Sequence, residues 1–129
     1  MNQSNYLFIS NWANIYESAQ KVDNEAIRGP RTACFYARRT IELLVEWIYE
    51  HDSTLRRPYE SSLSNLIHAF DFRELIGENL LEKFNILRAL GNKAVHRNDP
   101  INKGNAVLAA SALFQILRWF ALTYGSNPQ

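Results

Sequence analysis

The chain predicts an all-α fold, a bundle of four or five helices. Three observations carry that prediction. Apolar residues recur at helical spacing through most of the 129 residues. No stretch alternates apolar and polar side chains as a half-buried strand would. Breaks at Arg28-Gly29-Pro30, Asp52 to Glu60 and Asn98-Asp99-Pro100 divide the sequence into segments of helix length.

Ser10 or Asn11 suits the cap of a first helix that reaches about Ile27, with Trp12, Ile15, Tyr16, Ala19 and Val22 at helical spacing. Gly29 suits its C-terminal turn, and Pro30 the first position of the next helix. That second helix runs to about His51. Cys34, Ala37, Ile41, Leu44, Val45 and Ile48 form one apolar face, and Tyr36, Leu43 and Trp47 a second. A surface that wide marks a central helix with several neighbours. Its polar strip holds Arg38, Arg39, Glu42, Glu46 and Glu50. The Arg38–Glu42 and Arg39–Glu42 spacings are those of intrahelical ion pairs, each contributing about 0.2–0.5 kcal/mol if exposed. The alternative is a shared, partly buried polar network.

Residues 52–60 read as a loop. Its Arg56-Arg57-Pro58-Tyr59 segment is either solvated or a phosphate and base contact. A short helix follows, capped by Ser61 or Ser62 and anchored by Leu63, Leu66, Ile67 and Phe70. Asp71 suits the cap of one more turn, through Phe72, Leu75 and Ile76, which Gly77 breaks. The next helix spans about Glu78 to His96. The last runs from a cap at Asn102 to Tyr124 and closes at Gly125. It is apolar nearly all round, so it is either buried or partly covered by another subunit; Gln115 and Arg118 interrupt it, which argues against a membrane span.

Composition bounds the function. The chain is 47% hydrophobic and 21% charged, the balance of a soluble globular protein, and its length suits one domain. The ordered core is expected from about residue 10 to 125, with Ser126 to Gln129 as the start of a linker. A net charge of +1 gives no overall drive towards nucleic acid, so any such contact needs a local patch. Cys34 is the one cysteine, which excludes an internal disulfide and a cysteine-based zinc site; its apolar face marks it as a small buried hydrophobe. His51, His68 and His96 lie in different segments without metal-ligand spacing, so no metal is expected. There is no phosphate-binding GxxxxGK[ST] loop, no GxGxxG and no GxSxG elbow, and no cofactor is expected. The N-terminus lacks a basic start followed by an apolar run, so a cytoplasmic location is expected.

The stretch from Leu87 to Arg97 holds the strongest candidate site. Leu80, Phe84, Leu87, Gly91, Ala94 and Val95 fall on one apolar face. Asn85, Arg88, Asn92 and His96 form a polar stripe beside it. Gly91 lets a second helix approach closely, at about 1 kcal/mol of helix propensity. The stripe is either a set of satisfied structural groups or a site. With Arg38, Arg39 and Glu42 it makes one expected network.

Arg88-Ala-Leu-Gly-Asn-Lys-Ala-Val-His96, Pro30-Arg-Thr-Ala-Cys-Phe-Tyr-Ala-Arg-Arg39 and Glu42 resemble the small helical domain at the N-terminus of type I restriction enzyme R subunits. That domain is similar to the HEPN superfamily of helical bundles, many of which are ribonucleases. The resemblance covers about Trp12 to Tyr124. It implies an accessory domain, not itself catalytic, that docks to the motor, to the other subunits of the complex or to DNA. Arg56, Arg57 and Arg97 are the nucleic-acid candidates. Active HEPN ribonucleases share an Arg followed by four to six residues and a His, usually with a polar residue after the Arg, often at a dimer interface. Asn92 and His96 match the polar residue and the His, but Gly91 stands where the Arg is expected. Arg88 is one helical turn away, about 4–5 Å along the axis. An atypical ribonuclease working as a homodimer through His96, Arg88 and Asn92 is thus the second reading. A stand-alone helical binding module with no nucleic-acid role is the third, and no membrane partner is expected on any reading.

Overall fold

The computed structural model describes residues 6–125. The expected linker at 126–129 lies outside them. A 3-10 turn at Leu7–Ile9 leads into α1 (Ala13–Glu25), α2 (Pro30–His51), α3 (Leu63–His68), α4 (Phe70–Ala94) and α5 (Lys103–Tyr124). No strand occurs among the described residues, and the architecture is an all-α bundle of five helices.

The central helix is α2, which packs against α1, α3, α4 and α5. All six residues of its first apolar face are fully buried. Pro30 starts the helix, where its missing N–H leaves no bond unmade. The Arg31 side chain at the start of α2 reaches the end of α4, so these two helices run antiparallel. Tyr124 at the end of α5 donates a 2.6 Å hydrogen bond to Asp52, just past the end of α2, so α5 runs parallel to α2. One core cluster joins Phe72, Phe84 and Leu87 of α4, Ile41 and Leu44 of α2, and Leu113, Ile116 and Phe120 of α5. Between α1 and α2 the buried Ser18 and Thr40 hydroxyls pair at 2.7 Å, and Thr40 also donates to the Tyr36 carbonyl. These polar groups are therefore satisfied inside the core.

Several boundaries differ from the sequence reading, each for a local reason. The first helix begins at Ala13 with Trp12 at its N-cap and no side-chain cap, so neither Ser10 nor Asn11 serves. Trp12 is held instead by packing on Phe120 (4.7 Å between ring centroids) and Trp47 (5.9 Å). Ser62 caps α3 through the Asn65 amide. Phe70 does not anchor α3; it opens α4 and is 69% exposed. Asp71 lies in the first turn of α4 and does not cap it. It accepts from Arg56 across the loop instead. Gly77 breaks α4 as expected, with φ +81° and ψ 169°, a conformation open to glycine. Asn102 caps α5 and forms a reciprocal capping box with Asn105.

Candidate functional site at the crossing of α2 and α4

The crossing is built on Gly91. A Cβ placed there would stand 2.3 Å from the Cβ of Arg38 and 2.6 Å from its Cδ. Only a glycine admits the Arg38 side chain this close to the α4 backbone. The arginine is then held from both sides. Its Nε donates to Glu42 at 3.1 Å, and its Nη1 donates to the Asn92 side chain. Arg39 lies 3.8 Å from the same Glu42 carboxylate. Around this point a cavity of about 350 Å³ is lined by Phe35, Arg38, Arg39, Glu42, Gly91, Asn92 and Val95. Phe35 and Val95 present exposed apolar surface, and Arg39 is half exposed. The cavity therefore joins apolar walls to cations, with one carboxylate among its lining residues.

The expected six-residue network is divided. Arg38, Arg39, Glu42 and Asn92 come together. Arg88 instead donates to Asn85 at 3.4 Å, and Asn85 meets His68 Nε2 at 3.1 Å. His68 Nδ1 lies 2.7 Å from the Ser64 carbonyl oxygen, so this second chain ties α4 to α3. His96 joins neither group. The helix ends at Ala94, two residues before it, so the stripe loses its last member. The His96 ring is exposed, with no side-chain partner among the described residues. Val95, placed on the apolar face by its spacing, is 60% exposed for the same reason.

Arg31, to which the sequence assigned no role, caps the helix there. Its Nη1 lies 3.1, 2.9 and 3.0 Å from the carbonyl oxygens of Lys93, Ala94 and His96, and its Nη2 donates to the Asp99 carbonyl. The last carbonyls of a helix have no intrahelical donor, and a guanidinium supplies several in one fork. Positive charge at a helix C-terminus is favoured as well. Cys34, one turn along α2, is fully buried. Burial pushes its thiol up, with Arg31 and Lys93 pulling the other way.

The expected nucleic-acid arginines are placed differently from one another. Arg56 forks onto Asp71 with bonds of 3.0 and 3.1 Å, and Arg57 onto Glu46 with bonds of 2.9 and 3.3 Å. Both guanidiniums thus pin the 52–62 loop and are engaged within the chain. Arg56 holds the Asp71 carboxyl down at about 2. Arg97 is exposed, with no side-chain partner among the described residues. No group of three His, Cys, Asp or Glu side chains suited to a metal occurs among the described residues.

Fold and site together define a helical-bundle domain with a locked, cation-lined helix crossing. Residues 20–126 match the DUF4145 family, described as a domain of unknown function, and the chain belongs to that family. No curated protein and no solved structure matches it.

Proposed function

We propose that this chain is an accessory docking domain, not itself catalytic, and that the crossing of α2 and α4 is its docking site. The carrying observation is the Gly91–Arg38 contact, which fixes a guanidinium between Glu42 and Asn92 inside a cavity with exposed apolar walls. Binding sites combine apolar walls with a few fixed polar groups in this way. The sequence resemblance to the N-terminal domain of type I restriction R subunits supplies the partner class: another domain or subunit of a restriction complex, or DNA.

The site supports docking better than cleavage. A general acid or base needs a fixed position within hydrogen-bond reach of its proton. His96 lies beyond the end of α4, and the Arg88 side chain bonds to Asn85. The test is titration of the purified chain with a duplex DNA and, separately, with the partner subunits of a restriction complex. DNA docking predicts an affinity that falls as salt rises. Subunit docking predicts binding that Gly91→Ala weakens. Binding to neither would overturn the proposal.

A further inference from the structure

The outer face of α5 is a second surface, separate from the α2–α4 cavity. This helix is long and apolar enough to cross a membrane by length and composition, yet only 39% of its most apolar 18-residue window is buried in the bundle. The buried side is used fully: Ala106, Ala109, Leu113, Ile116, Leu117 and Phe120 all lie in the core. At 100° per residue, Val107, Ser111, Phe114, Arg118 and Leu122 share an arc of about 80° on the other side. Val107 is 64% exposed and Leu122 70%. The ring of Phe8, itself exposed, sits edge-on to Phe114 at 5.7 Å and widens the strip. Exposed apolar side chains gathered on one face, here with Ser111 and Arg118 among them, mark a candidate interaction site.

Charge selects the occupant. No Asp or Glu occurs from Lys103 to Tyr124. Lys103 and Arg118 are exposed, about 22 Å apart along the axis, with no ion-pair partner among the described residues. A second copy of this chain suits the strip poorly. Its own α5 carries no acid to meet these cations: antiparallel pairing about the middle of α5 sets Arg118 opposite Ala109, about 9 Å along the axis from the other copy's Lys103, and parallel pairing sets like against like. We infer that the outer face of α5 docks an amphipathic helix of a partner polypeptide, whose apolar stripe covers Val107, Phe114 and Leu122 and whose carboxylates meet Lys103 at the end of the strip and Arg118 within it. The docked helix would present its own apolar anchors at i, i+3 or i+4 and i+7.

The probe is a pair of synthetic helices of about three heptads with the same leucine stripe, one flanked by Glu and one by Lys. Anisotropy titration at low salt is expected to show the Glu-flanked helix binding at least about tenfold more tightly. The double variant Lys103→Glu, Arg118→Glu is expected to reverse the preference. Val107→Glu, at an exposed position that leaves the core untouched, is expected to weaken binding about tenfold or more. Equal affinity for the two helices, or binding unchanged by Val107→Glu, would overturn the inference. So would a concentration-dependent dimer abolished by Val107→Glu, because the occupant would then be a second copy. Gly91→Ala, which tests the α2–α4 site, leaves this binding unchanged, so the two readings fail separately.

Discussion

Gly91 and Arg38 are in such close contact that a methyl group on the glycine would overlap the arginine side chain, with 2.3 Å between the two Cβ positions. Gly91→Ala therefore sets two effects against each other. Alanine gains about 1 kcal/mol of helix propensity. The overlap falls on Arg38 Cβ, which cannot swing away as a side-chain tip can, so α2 and α4 must separate. Overpacking costs about 1–3 kcal/mol, and the separation also breaks the Arg38–Asn92 bond. A net loss of about 1–2 kcal/mol is expected in urea unfolding, where a gain would show that the crossing is loose.

The same substitution at Gly77 has a different cause of damage. Nothing lies within 4 Å of a Cβ there, but φ is +81°. Gly77→Ala is expected to cost about 1–3 kcal/mol through backbone strain alone. Asn65–Ser62 capping and the Asn85–His68 contact should survive, which the histidine and amide resonances of the variant would report.

Arg31 carries the turn between α4 and α5. Arg31→Ala leaves the carbonyls of Ala94 and Asp99 to water or to no donor, and takes from those of Lys93 and His96 their second donor. A loss of about 1–2 kcal/mol is expected, since the site is partly exposed. Arg31→Lys restores little, because an ammonium cannot fork across four carbonyls. Faster hydrogen exchange confined to the amides of His96 and Asp99, which bond to Lys93 and His96 in this turn, would locate the damage.

Acid unfolding reports the loop clamp. The hydrogen bonds from Arg56 hold the Asp71 carboxyl at about 2, against an ordinary 3.8. Thr54, and then Tyr124, lower Asp52 in the same direction. A carboxyl depressed in the folded state stabilises fully above its ordinary value, and that contribution is lost as pH falls towards the folded value. Wild-type stability should therefore drop between pH 3.8 and about 2. Asp71→Asn should flatten part of that drop in urea midpoints measured across the range. An unchanged profile would mean that Arg56 and Asp71 are not paired in solution.

Much of this arrangement was legible in local pattern. The 3.6-residue period places α2 with its buried face, Pro30 and Asn102 mark two helix starts, and the missing side chain of Gly91 signals a close crossing. The rest depends on contacts across the chain. Arg31 bonds to backbone carbonyls more than 60 residues away, and every residue type carries such carbonyls, so no spacing signals it. It binds the carbonyls where α4 stops at Ala94, an end that removes His96 from a stripe that periodicity alone extends. Arg56 and Arg57 resemble a free basic pair until the fold brings Asp71 and Glu46 beside them.

The position of His96 gives the most direct test of a docking domain against a ribonuclease. The measurement is cleavage of a structured RNA by the purified chain and by His96→Ala, with stability checked in parallel. Because the His96 side chain is exposed and has no partner among the described residues, the substitution should change stability by no more than about 0.5 kcal/mol. The docking account predicts no cleavage above background from either protein. Cleavage by the wild type that disappears in a folded His96→Ala variant would contradict it.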